Sequence, residues 1–113
     1  TYWSLLRHAD LLLGNSSSGI MEAASFALPA VNVGLRQHGR ERARNILDAE
    51  PRTDSILEKL ATARSEAFRK SLHGMTNPYG DGHAAERIVR VLTTVPLEGL
   101  LRKRASVQNE ATA

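Results

Sequence analysis

The chain has 113 residues, 42% of them hydrophobic, 24% charged and only 4% aromatic, which fits one ordinary domain with an aliphatic core. Its formal net charge of +3 suits an anionic ligand, but it is too small for the basic stripe of a nucleic-acid binder, and no nucleic-acid-binding motif is present. With no cysteine, disulfides, thiolate metal sites and cysteine nucleophiles are all excluded. His8, His38, His73 and His83 keep no metal-ligand spacing, so neither a metal nor a cofactor is expected. No apolar run approaches the roughly 20 residues of a membrane span, and the first residues lack a signal-peptide pattern. A cytoplasmic protein without membrane or nucleic-acid partners is the expectation.

In chain order, residues 2–8 read as a short helix or helix end. Residues 9–13 form a compact apolar run interrupted only by Asp10, which suits a buried parallel strand stopped by Gly14 and Asn15. Ser16, Ser17 and Ser18 offer capping oxygens to a helix over 19–28, which Pro29 ends. Residues 30–33 are a second strand closed by Gly34. A polar loop over 35–44 then carries Arg36, Arg40, Arg42 and Arg44.

A weaker third strand follows over 45–49. The longest helix is predicted over 54–72, with Leu57, Leu60, Ala61, Phe68 and Leu72 near a 3.6-residue period. Residues 73–82 hold Gly, Asn and Pro at turn spacing, and a last core helix over 83–94 aligns Ile88, Val89 and Leu92. A short amphipathic turn over 97–104, with Arg102, Lys103 and Arg104 as a solvated face, and a frayed polar tail complete the chain. Residues 1–96 are thus expected as one domain and 97–113 as its short appendage.

This alternation predicts an α/β fold with a Rossmann-like parallel sheet. Three strands are few for a complete doubly wound domain, so further strands are expected upstream, as though the chain belonged to something longer. An open edge of a parallel sheet is a liability, so self-association or pairing with a missing N-terminal domain is expected.

The informative stretch is Gly14-Asn15-Ser16-Ser17-Ser18-Gly19-Ile20-Met21-Glu22-Ala23, between a strand and a helix. Backbone N–H groups at a helix start are unsatisfied and the helix dipole adds positive potential, which makes such a turn an anion site. Gly14 and Gly19 would let a phosphate approach the backbone, with serine hydroxyls as further donors. No P-loop or dinucleotide fingerprint is present. Glu22 lies four residues after Ser18, one too many for a capping box, so its carboxylate looks available. Beside a phosphate its useful partner is a neutral diol such as a ribose. The same spacing also fits a serine-rich cap followed by a surface glutamate.

These residues resemble the nucleotide-binding turn of the UDP-N-acetylglucosamine 2-epimerase family. Pro29-Ala30-Val31-Asn32-Val33-Gly34-Leu35-Arg36-Gln37-His38-Gly39-Arg40 resembles that family's next strand and loop. Asn77-Pro78-Tyr79-Gly80-Asp81-Gly82-His83, continuing to Val89, resembles its closing turn and helix. The Arg-Gln-x-Gly-Arg form of the middle block is similar to the hydrolysing branch, which releases UDP and N-acetylmannosamine.

The resemblance implies the C-terminal half of a two-Rossmann (GT-B-like) enzyme that takes UDP or UDP-N-acetylglucosamine. It implies nucleotide contacts from Ser16, Ser17, Ser18 and Gly19, a ribose contact from Glu22 and a phosphate contact from Arg36. Gly80, Asp81 and Gly82 would shape a turn beside the cleft, with Asp81 as an alternative helix cap. Arg40, Arg42 and Arg44 are expected to be solvated.

His83 stands where the family more often has asparagine and is expected to be a polar surface residue. The family's acid–base groups have no counterpart here, so no catalytic residue is assigned and the isolated chain is expected to be inactive. The alternatives are the nucleotide-sugar half of a GT-B-type glycosyltransferase and a non-catalytic UDP-binding or association module.

Overall fold

The computed structural model describes residues 1–96 and 98. Apart from residue 98, the expected turn over 97–104, the basic group within it and the polar tail therefore lie outside the described residues. The described residues divide into two units, one spanning Thr1–Asp81 and a second that begins at Gly82.

In the first unit three parallel strands, β1 (Leu12–Gly14), β2 (Ala30–Val33) and β3 (Ile46–Ala49), lie side by side in that order. Register pairs Leu12 with Ala30 and Ala30 with Ile46, so these three point to one face of the sheet. Helix α1 (Tyr2–His8), helix α2 (Ser17–Met21) and a 3-10 turn (Ala23–Phe26) cover that face. Its core joins Leu6, Ala23, Leu28 and Ala30, with Leu12, Phe26 and Ile46 packed against them. The alternate strand residues Val31 and Leu47 meet α3 (Thr53–Arg64) through Ile56, Leu60 and Ala63 on the opposite face.

Helices on both faces of a parallel sheet are the expected α/β arrangement, and its core is aliphatic. Burying Ile20 or Val31 completely, as here, stabilises by about 1.5–3 kcal/mol each.

The helix expected over 19–28 is two shorter pieces. Pro29 forces Leu28 out of the helical region, and β2 begins at Ala30, so the chain must turn within two residues. It does so by tightening into the 3-10 turn. Ala27 then adopts a left-handed conformation (φ 47°), donating its N–H to Ala24 while Leu28 donates to Ala23.

The helix expected over 54–72 also divides, into α3 and α4 (Glu66–Ser71), at Ser65. This serine is extended (ψ 142°), and its hydroxyl donates to the Thr62 carbonyl at 2.8 Å while accepting from the Phe68 N–H at 3.2 Å. One side chain closes one helix and opens the next, in competition with a continuous helix. The register of α3 differs from expectation too, because Ile56, Leu60 and Ala63 face the sheet while Leu57 is exposed.

Asn45 is fully buried just ahead of β3. It donates from Nδ2 to the Leu28 carbonyl at 2.8 Å, and its own carbonyl accepts from Ala30. That polar clamp makes up for the third strand's weak apolar signal.

The second unit contains α5 (Ala84–Thr94), whose Ile88, Val89, Val91 and Leu92 are all exposed. Its N-cap is His83, not Asp81, and the His83 ring pairs with Glu86 at 3.2 Å.

Candidate functional site

Because β1 and β2 are adjacent and parallel, the segments that follow them leave the same edge of the sheet. The serine turn follows β1, and the arginine-bearing loop follows β2 after Gly34, whose φ of 75° turns the chain away from the sheet. In open α/β sheets this carboxyl edge is where ligands bind.

Ser16 is the N-cap of α2, and its Oγ accepts from the Ser18 N–H at 3.3 Å. The Ser18 hydroxyl donates to Glu22 Oε2 at 2.7 Å, and it also meets the Tyr2 hydroxyl. Ser18 is therefore committed within the protein. The same bond corrects the expectation about Glu22, since four residues is one helical turn and one carboxylate oxygen is engaged by its own helix. Glu22 is half-buried, and Ser17 has no hydroxyl partner among the described residues.

Gly19 has a packing role. It is buried, and a Cβ there would lie 3.3 Å from Leu12 Cδ2 and 3.7 Å from Ala30 Cβ. Its missing side chain lets α2 lie close on the sheet. With only five residues, α2 also contributes little dipole, so charge at this turn must come from side chains.

Arg36 supplies it. Its Nη1 donates to the Asn15 carbonyl at 3.3 Å, which brings an exposed guanidinium to the residue that precedes the Ser16 cap. Gln37, which was not singled out in the sequence, donates from Nε2 to the same carbonyl at 2.8 Å and is almost fully buried.

Of the other loop arginines, Arg40 and Arg44 are exposed and Arg42 is half-buried, and each has a partner in the fold. Arg42 pairs with Asp48 and donates to the Gln37 carbonyl at 3.1 Å, while Arg44 donates to the His73 carbonyl at 2.8 Å. Arg40 approaches the Met21 sulfur at 3.7 Å.

Asn77, also unassigned in sequence, ties its segment to α2 and the turn beyond it. Its Nδ2 donates to the Met21 carbonyl at 2.7 Å and to Ser25 Oγ at 2.8 Å. Tyr79 adds a bond from its hydroxyl to the Glu41 carbonyl at 2.9 Å. Gly80 takes a φ of 147° in the same segment, where Asp81 follows; Gly82 begins the second unit with a φ of 87°.

A cavity of about 620 Å³ opens one strand further along, lined by Leu35, His38, Arg42, Asp48 and Pro51 among others. Ser16, Glu22 and Arg36 do not line it. Among the described residues no cluster of three or more metal-ligating side chains occurs, and no helix is long and apolar enough to cross a membrane.

A parallel sheet sandwiched by helices, with a serine turn and an arginine loop side by side at its carboxyl edge, defines a Rossmann-like α/β domain. A family model described as UDP-N-acetylglucosamine 2-epimerase matches residues 1–93, and the chain belongs to that family.

It is 45% identical over 101 residues to the UDP-N,N'-diacetylbacillosamine 2-epimerase (hydrolyzing) of Legionella pneumophila, covering 89% of this chain and 26% of that protein. It is 40% identical over 104 residues to the GDP/UDP-N,N'-diacetylbacillosamine 2-epimerase (hydrolyzing) of Campylobacter jejuni, covering 90% and 26%. A UDP-N-acetylglucosamine 2-epimerase of Neisseria meningitidis is 38% identical over 61 residues, covering 54% and 16%. The chain thus spans about a quarter of the length of the first relatives it matches.

Proposed function

We propose that this chain is the UDP-binding, C-terminal portion of a hydrolysing 2-epimerase, which in the whole enzyme inverts C2 of a UDP-linked N-acetylated amino sugar and releases UDP. With UDP-N-acetylglucosamine the sugar product is N-acetylmannosamine. The names of the relatives divide between that substrate and N,N'-diacetylbacillosamine carried on UDP or, for the Campylobacter jejuni relative, on GDP or UDP, and UDP occurs in all three names. The pyrophosphate lies against Ser16, Ser17 and the amides of the turn, Arg36 forks onto a phosphate, and the free oxygen of Glu22 accepts from the ribose diol. Ser18 acts by orienting Glu22, and Gly19 by keeping α2 close to the sheet. Gly80, Asp81 and Gly82 shape the turn that leads into α5.

The observation that carries this reading is the approach of Arg36 to Asn15 O at 3.3 Å, which sets a cation beside a serine turn of low intrinsic charge. Expelling UDP and moving the C2 proton both need positioned acids and bases, and these come from the remainder of the enzyme, with which this portion works in the cytoplasm. The isolated chain is inactive; release of N-acetylmannosamine by it alone would overturn that part of the proposal.

Calorimetric titration with UDP tests the nucleotide site. The chain binds UDP, and Glu22→Ala and Arg36→Ala each weaken binding while the fold persists. A folded sample that ignores UDP would leave an association module instead.

A further inference from the structure

Two donors converge on the Asn15 carbonyl, and they differ in kind. Arg36 reaches it at 3.3 Å from an exposed side chain, whereas Gln37 reaches it at 2.8 Å from a side chain that is only 3% exposed. A carbonyl oxygen has two lone pairs, and both are taken here. The Gln37 main chain is held in turn, since its carbonyl accepts from Arg42 Nη2 at 3.1 Å while Arg42 pairs with Asp48. The amide is therefore anchored to β3 through Arg42, and the turn after β1 is anchored to the amide.

The other end of the amide makes this arrangement informative. Gln37 Oε1 is buried without a hydrogen-bond partner among the described residues. A buried, unpaired amide oxygen is unfavourable, and an apolar side chain of the same length would avoid it. Stability alone does not explain a glutamine here; its N–H donor does.

We infer that Gln37 is a positioning residue for the nucleotide site: it holds the Asn15 carbonyl against the loop so that Arg36 can leave that carbonyl for a phosphate without the serine turn relaxing. The inference rests on the nucleotide reading of the serine turn. Without Gln37, Arg36 would be the remaining donor to that carbonyl, and engaging phosphate would cost the turn its tie. A carbonyl free to swing would also bring its negative end towards the anion. Gln37 thereby separates two tasks that Arg36 would otherwise have to combine.

The test compares the chain with Gln37→Met, which keeps the length and apolar volume while removing both the N–H donor and the unpaired oxygen. The Gln37→Met chain melts no lower than the parent, yet binds UDP at least about tenfold more weakly, a loss on the scale of one hydrogen bond to a fixed dipole. In a double-mutant cycle with Arg36→Ala the two losses are not additive, because both residues act on one carbonyl. Parent-like UDP affinity in folded Gln37→Met overturns the inference and leaves the nucleotide site intact. A parent chain that fails to bind UDP overturns the nucleotide reading itself, and this inference with it.

A measurement on the parent chain covers the case in which Gln37→Met does not fold. The Gln37 side-chain amide protons exchange slowly both in free chain and at UDP saturation, while the Arg36 Nε resonance shifts with UDP. Loss of Gln37 protection on UDP binding would show that the tie is released, and the inference would fail.

Discussion

The Ser18 hydroxyl donates to the Glu22 carboxylate across 2.7 Å, one turn apart on α2, so these two side chains act as a unit on a half-buried surface. Glu22→Ala removes the proposed ribose acceptor and weakens UDP binding by at least about tenfold, the scale of a charge-assisted hydrogen bond. Ser18→Ala leaves the carboxylate in place but loose, and costs only about two- to fivefold. The double variant resembles Glu22→Ala alone, because the hydroxyl works through the carboxylate. Calorimetry on the four chains checks this.

Arg36→Lys separates charge from geometry. A lysine retains the positive charge but presents one ammonium where the guanidinium presents a planar fork, so most of the Arg36→Ala loss persists. UDP affinity measured at low and moderate salt distinguishes the cases. Recovery to within about twofold of the parent would mean that charge near the turn suffices.

Gly19→Val and Ala27→Gly move stability in opposite directions. The first places a branched side chain where a single Cβ already sits 3.3 Å from Leu12 Cδ2, and overpacking of this kind costs about 1–3 kcal/mol. The second relieves a left-handed alanine at φ 47° and stabilises by about 1 kcal/mol. Urea denaturation of the two chains provides the comparison.

Ser65→Ala deletes an oxygen that both closes α3 and opens α4, and lowers stability by about 1 kcal/mol. UDP affinity stays at the parent value, because α3, which Ser65 closes, packs on the sheet face opposite α2. A thermal melt alongside a UDP titration reads both.

The strand–turn–helix at the start of the chain was legible because each boundary carries its own chemistry: apolar residues into Leu13, then Gly14, three serines and finally Pro29. The arginine loop was legible by position, since it follows a parallel strand. The break at Glu22 and the left-handed Ala27 that ends the 3-10 turn were not, because alanine gives no signal for a left-handed backbone and the tight turn is imposed by the distance left to Pro29. Ser65 did carry a signal, with Glu66 in the turn it opens and Phe68 three residues on, but the apolar period running through it suggested one helix. Gln37 is a polar residue in a polar loop, and only the closeness of the two turns at the sheet edge reveals its burial. The engagement of Glu22 by Ser18 was missed because comparison with a capping box left aside the ordinary i, i+4 contact.

The central claim is that UDP docks where the turn after β1 meets the loop after β2. Amide mapping of an isotope-labelled chain during UDP titration tests it most directly. The predicted result is a saturable set of shifts concentrated at Asn15 to Glu22 and at Arg36 and Gln37, with β3 and α4 little affected. Shifts gathered instead around His38, Asp48 and Pro51 at the neighbouring cavity, with the serine amides unmoved, would contradict it.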